Sequence, residues 1–264
     1  MILFTIIGAI IGAGFASGQE IYLFFYRFGI NGIYGIIICN IIMTLVIYKT
    51  LKMVHEKNIN TYKEFLNTIF KENIFFANIM NIIINIFLCV TFFIMLSGFG
   101  AYISQRLDIN IIIGSSILAI ICYIVFLKNI ESLTKINSII IPILIFVILI
   151  IGLKNSLNID CKEISNEKGI FWSVQAILYV SYNLILVEPV IVSLKDFIKS
   201  KKQIKTISII TGIIMTILSI MEFLLLANIE NFEGLEMPLV NVIENKYQNF
   251  SKIYGIIILI AIFT

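Results

Sequence analysis

The chain has 264 residues, 59% hydrophobic and only 13% charged, against about 25% charged in an ordinary soluble domain. Its charges leave uncharged windows at 28–48, 73–105, 109–127, 136–153 and 169–187, each near the roughly 20 residues that cross about 30 Å of hydrocarbon. A soluble enzyme, a nucleic-acid binder and a disordered chain are excluded, and an all-α, polytopic helical membrane protein is expected. The net charge of +3 implies no polyanionic partner; the lipid bilayer is the expected one.

Eight membrane segments are predicted, near residues 2–26, 31–50, 74–104, 109–127, 136–153, 169–193, 206–227 and 253–264, within a single integral domain over 1–264. No basic segment precedes the first, and no small-residue cleavage site follows a short apolar core, so 1–26 does not read as a signal peptide.

The first segment contains GAIIGAGFASGQE at 8–20. Gly8, Gly12, Gly14 and Gly18, with Ser17, Gln19 and Glu20, make its middle both flexible and polar. A glycine in a helix interior costs up to about 1 kcal/mol relative to alanine, and a charged carboxylate at mid-bilayer at least ~2.5 kcal/mol. Close helix packing through Gly8, Gly12 and Ala16 explains the glycines but not the polar residues beside them. A discontinuous helix, whose unwound carbonyls and half-helix N-terminus bind an ion and an anionic substrate group, explains both.

After the second segment, Thr61 and Glu64 have capping-box spacing, and Ile59, Tyr62, Phe65, Leu66, Ile69 and Phe70 form one apolar face. An interfacial helix is predicted there, with an ordinary amphipathic connector as the alternative. The third uncharged window, too short for two crossings, predicts one long tilted helix. Its Asn78, Asn81 and Asn85 recur at helical spacing and either line a water-filled route or serve an interhelical contact.

The sixth segment carries YVSYNLILVEP at 179–189. Ser181, Tyr182 and Asn183 fall mid-window, followed by Glu188 and Pro189, so a second polar interruption is expected. If the repeat unit is five helices, 1–153 is a first repeat and 169–264 part of a second, inverted one, and paired interruptions point to a transporter site. Two unrelated polar kinks are the competing reading. Glu222, late in the seventh segment, reads as solvated at the outer interface. Leu239, Ile243, Tyr247 and Phe250 follow Pro238 at helical spacing and predict a short helix over the outer face. After Lys252 only 12 residues remain, about 18 Å of helix, so truncation at the C-terminus is expected.

The four cysteines form no C-x-x-C pair and His55 is the sole histidine, so no metal and no organic cofactor is expected, only Na⁺ or H⁺ as a coupling ion. With the N-terminus cytoplasmic, inner connectors hold 12 Lys and Arg and outer ones 7, as the positive-inside rule requires.

GAGFASGQEIYLFF at 12–25 and LYVSYNL at 178–184 resemble the YkvI-type family of bacterial membrane proteins. That family is a distant branch of the amino acid–polyamine–organocation superfamily, with the leucine-transporter fold of two inverted five-helix repeats. The resemblance runs along the whole chain and implies about eight of ten helices here, with a solute bound between segments one and six. In related sodium-coupled proteins, carbonyls of the first-segment break and hydroxyls of the eighth segment hold the cation; Thr264 is the hydroxyl at that position.

Residues and resemblance together predict a cation-coupled secondary transporter of the cell membrane for a small polar solute, amino acids being candidates. Gly12, Ala13 and Gly14 supply backbone groups at the break, Ser17 a hydroxyl beside Gly18, and Ser181, Tyr182 and Asn183 the opposite wall. Glu20 is the candidate proton-coupling or solute-amine group, with Glu188 and Thr264 the other ion-coupling candidates. A membrane nutrient sensor of the same fold without net transport is the alternative. An enzyme is not expected: Ser17 has no intramembrane His or Lys to activate it.

Overall fold

A computed structural model describes residues 1–71, 73–127, 130–156, 171–227, 229, 237–246 and 254–255. Among them the elements are helical, with no strand. Five helices are long and apolar enough to cross a membrane: Ile30–Glu56, Ile74–Ser104, Thr134–Lys154, Phe171–Ser193 and Lys201–Leu226. A shorter apolar helix covers Ile111–Val125. The protein is an all-α, polytopic membrane protein.

The first apolar window is not one helix. α1 (Ile2–Ile10) ends where the Gly12 N–H turns back to the Ile10 carbonyl at 3.1 Å, instead of reaching Gly8 four residues back. A single turn, α2 (Ala13–Ala16), follows. The chain then breaks again at Gly18, whose φ of 77° lies in the left-handed region that glycine adopts without strain. α3 (Gln19–Phe24) resumes beyond it, and a 3₁₀ turn at Tyr26–Phe28 leads into α4 (Ile30–Glu56).

The remaining boundaries follow capping chemistry. Thr61 caps α5 (Tyr62–Ile69), its hydroxyl accepting from the Glu64 N–H at 3.2 Å. Glu64 reaches back one residue further than a capping box would place it, accepting from the Asn60 N–H at 2.9 Å. Asn73 and Asn110 cap α6 (Ile74–Leu107) and α7 (Ile111–Phe126), and the third window is the single long helix predicted. α8 (Ile130–Ser156) and α9 (Phe171–Ser193) follow, and Ser200 caps α10 (Lys201–Leu226).

The expected interruption of the sixth segment is absent: α9 is continuous through Ser181, Tyr182 and Asn183 and through Pro189. The reason is local. The Ser181 hydroxyl and the Asn183 amide each donate to the carbonyl four residues back, Ile177 and Tyr179, at 2.9 Å. Polar side chains that bond back onto their own helix need no break to be satisfied.

α1 is enclosed: Ile6, Ile7, Ile10 and Ile11 are fully buried against α8, α9 and α10. A Cβ on Gly8 would lie 3.1 Å from the Asn137 amide of α8, so α1 sits close there because the residue is glycine. α4 packs on α9 and α10. α6 and α7 pair on the periphery, where a Cβ at Gly114 would come within 3.0 Å of the Gly100 backbone. Small residues let membrane helices approach in this way. Their outer faces carry Phe75, Ile112 and other large apolar side chains, at 67% and 71% exposure, as hydrocarbon demands. α11 (Pro238–Lys246) is the predicted short helix, and Leu239 and Ile243 on it are buried. It is set into the first-segment break, with the Leu239 N–H donating to the Ser17 carbonyl at 2.9 Å. Tyr247, Phe250, Thr264 and all of the eighth segment except residues 254–255 lie outside the described residues.

Candidate functional site

The two breaks put backbone and side-chain oxygens where a continuous helix would have none, and most of them are already engaged. The Gly12 carbonyl accepts from the Ala16 N–H at 3.0 Å, and the Gly14 carbonyl from the Ser17 hydroxyl at 3.1 Å. The Ser17 oxygen in turn lies 3.4 Å from the Gln19 N–H. The Ala16 carbonyl accepts from the Tyr254 hydroxyl at 2.7 Å. The turn at 17–18 is therefore clamped by two remote segments.

α3 carries Glu20 out of this turn and over α2. A Cβ on Gly14 would collide with the Glu20 carboxylate, so only glycine leaves the carboxylate its place. The Tyr182 hydroxyl of α9 donates to Glu20, while Glu20 Oε2 is buried with no hydrogen-bond partner. Both groups face a cavity of about 510 Å³ between α2–α3, α6 and α9. Gly14, Ser17 and Glu20 line one wall, Phe87, Thr91 and Met95 of α6 another, and Tyr182 a third. Phe87 stands edge-on to Tyr182, ring centroids 6.1 Å apart. This cavity has the size and mixed lining of a small-molecule site.

Of the predicted residues, Gly14, Ser17, Glu20 and Tyr182 are brought together here. Gly12 adjoins the wall: a Cβ on it would lie 3.1 Å from the Met95 methyl. Ala13 contributes backbone to α2. Gly18 backs onto Leu239, away from the cavity. Ser181 is exposed on the other face of α9. Asn183 is fully buried, bonded to its own helix, with its Oδ1 unpartnered. Glu188 stands further along α9, where it faces Tyr62 of α5, and it does not line the cavity. Burial first, and the Glu188 charge second, hold the Tyr62 hydroxyl above the ordinary tyrosine range. The Asn78, Asn81 and Asn85 stripe does not line the cavity; α6 turns Phe87, Thr91 and Met95 to it instead.

The reading of Glu222 as a solvated residue is corrected: its exposure is 0%. It sits on the inward stripe of α10 with Met215, Leu218, Ser219 and Leu226, and neither carboxylate oxygen has a hydrogen-bond partner. Glu20, Tyr179 and Tyr254 lie within electrostatic range of it. Phe24 and Phe25 pack on the Tyr179 ring at 5.3 and 5.0 Å between centroids. Sequence periodicity held the signal that Glu222 shares a face with buried apolar residues, but its position near a segment end masked it.

No family model and no solved structure matches the chain. The uncharacterized membrane protein YkvI of Bacillus subtilis is 28% identical over 269 residues, covering 99% of this chain and 76% of that protein. The uncharacterized protein YyaD of Bacillus subtilis is 25% identical over 241 residues, covering 90% of this chain and 69% of that protein. Over nearly its full length, then, the chain is similar to a YkvI-type membrane protein.

Proposed function

We propose that the chain is a cation-coupled secondary transporter of the cell membrane, carrying a small polar solute such as an amino acid through the cavity beside Glu20. One observation carries the reading: the first membrane segment is interrupted at 11–12 and again at 17–18, and the interruption holds a carboxylate against a cavity of about 510 Å³. Glycines and a half-buried acid inside a membrane segment are costly for a helix that only packs. They are accounted for if the segment must bind something polar and let it go.

Glu20 holds the cationic end of the solute, Tyr182 orients the carboxylate, and Phe87 and Met95 cover the apolar part. In this reading the backbone contribution comes from the first segment alone, and the continuity of α9 supports it. The proposal includes the inverted-repeat architecture of the amino acid–polyamine–organocation superfamily, with 1–153 as the first repeat and 169–264 as part of the second, and a cytoplasmic N-terminus. The overlap of the cavity with the GAGFASGQE string supports it.

The test is binding of radiolabelled L-amino acids to the purified protein. Wild type is expected to show a saturable site, and Tyr182→Phe to weaken it about tenfold, the worth of one hydrogen bond to a charged group. Equal binding by wild type and Tyr182→Phe would remove the cavity from the reading.

A further inference from the structure

A second cavity, of about 520 Å³, lies in the connector between α4 and α6 and shares no lining residue with the one beside Glu20. Lys57, at the C-cap of α4, and Lys71, just past the end of α5, stand on its wall, and Asn67 and Thr68 of α5 line it with them. Glu64 lines it as well, but its carboxylate accepts from the Asn60 N–H at 2.9 Å. Glu56, the acid next to Lys57 in the chain, is bound to Lys201 at 2.6 Å. Neither Lys57 nor Lys71 has an acidic partner among the described residues. Both are exposed, and together with Glu64 they leave an excess of one positive charge on the described lining.

The depth of this cavity follows from its neighbours. α4 and α6 are both long and apolar enough to cross the membrane, and α5 joins them on one side. Leu66 of α5 packs on Ala77 and Ile84 of α6, which fixes the short helix against the span. Soon after Lys71, Ile74, Phe75 and Phe76 open α6 with exposed apolar side chains, as hydrocarbon demands. Lys71 therefore sits where hydrocarbon gives way to headgroups. Its φ of 50° lies in the left-handed region, uncommon for a lysine. Glycine would meet that backbone at lower cost, so the backbone gives no reason for a lysine at this place.

Lysine ammonium groups bind phosphate oxygens as point charges, and a phosphodiester carries the single negative charge that balances this lining. Asn67 and Thr68 add uncharged donors for the ester oxygens. A zwitterionic lipid brings a cation of its own and gains less. We infer that this cavity is a headgroup site for an anionic phospholipid, whose phosphodiester is met by Lys57 and Lys71 and whose acyl chains run along Ile74, Phe75 and Phe76 of α6. A free phosphodiester offers the same anion but has no use for the apolar face that opens beside Lys71. The site belongs to the connector and not to the cavity beside Glu20, so it stands whether or not the chain moves a solute.

The experiment is lipid retention by the purified full chain in nonionic detergent, read by native mass spectrometry during titration with dioleoylphosphatidylglycerol or dioleoylphosphatidylcholine. Wild type is expected to retain phosphatidylglycerol saturably and about tenfold more tightly than phosphatidylcholine. Lys57→Gln and Lys71→Gly are each expected to weaken that retention about fivefold, the worth of one lysine at an anionic headgroup. Lys71→Gly suits the left-handed backbone and should keep its far-ultraviolet helical signal; should it not fold, Lys57→Gln decides. Lys63→Gln is the control. Lys63 is exposed on α5 but does not line the cavity, and this variant should stay within about twofold of wild type.

Equal retention of the two lipids, or retention unchanged in Lys57→Gln and Lys71→Gly, overturns the proposal. So does an equal loss in Lys63→Gln, which would mark a diffuse effect of charge instead of a site. Glycerophosphoglycerol, the water-soluble headgroup of the same lipid, supplies the last arm. It is expected to leave the bound lipid in place at equal concentration. Displacement would assign the cavity to a soluble phosphodiester and overturn the lipid as its occupant.

Discussion

Gly14 matters because of what stands over it. The residue has no special backbone angle; its missing Cβ is the space into which the Glu20 carboxylate fits. Gly14→Ala is therefore expected to displace Glu20 and cut solute binding at least tenfold, at an overpacking cost of about 1–3 kcal/mol, with membrane insertion unchanged. Gly14→Leu should abolish binding outright. Binding assays alongside detergent-resistant insertion check both, and wild-type affinity in Gly14→Leu would return the first segment to plain packing. Ser181 makes the opposite case. It is exposed and its hydroxyl is bonded to Ile177, so Ser181→Ala should leave binding within about twofold of wild type, since surface changes of this kind cost under about 0.5 kcal/mol. The sequence placed Ser181, Tyr182 and Asn183 together as a site; only the middle one points at Glu20. Adjacent residues on a helix face different directions, and which of the three turns inward depends on the packing of α9 against α4 and α1, which no local string encodes.

Among the elements, the first segment was readable and the sixth was not, for one physical reason. Gly12 and Gly18 cannot supply side chains that mend a helix, so the breaks appear where the glycines are. Ser181 and Asn183 can, and α9 runs through them. Gly18 carries the more exacting demand: φ of 77° and Leu239 pressed against it. Gly18→Ala is expected to destabilise the protein by more than about 1 kcal/mol, read as a lower midpoint in thermal or denaturant unfolding. α5 shows what the capping pattern delivers. Thr61 does cap, and Thr61→Ala should cost roughly 1 kcal/mol, visible as faster amide exchange confined to α5. The Glu64 carboxylate, by contrast, bonds Asn60 rather than the Thr61 N–H, a register that spacing alone does not distinguish. For α11, the periodicity of Leu239 and Ile243 announced a helix but not its destination. The contact that matters, from the Leu239 N–H to the Ser17 carbonyl, joins segments too distant in the chain for any periodicity to link.

For the whole molecule, hydropathy announces the membrane and the order of the spans, because hydrocarbon leaves helices as the way to satisfy the backbone. It is silent on which spans form the interior. α10 has half of its most apolar window buried and the span in α6 only 6%, although both read as equally apolar strings. α1, nine residues inside the segment predicted at 2–26, is too short to cross alone and yet has Ile2, Thr5, Ile6, Ile7, Gly8 and Ile10 buried. The orientation proposed from the distribution of Lys and Arg makes its own prediction. Single cysteines placed in the connector at 57–71, in a variant lacking the native cysteines, should react with impermeant maleimide only after the membrane is opened. A cysteine at Asp108 should react in sealed cells. The reverse pattern would invert the assignment.

The central claim is that this fold moves a solute rather than merely holding one, and gradient-driven uptake addresses it most directly. Purified protein in sealed liposomes, given an inward Na⁺ or H⁺ gradient and a panel of radiolabelled L-amino acids, is predicted to accumulate at least one of them above the external concentration. Dissipating the gradient with an ionophore should collapse that accumulation. Saturable binding of the same compound with no accumulation under either gradient would contradict the account and identify the cavity beside Glu20 as the ligand pocket of a sensor.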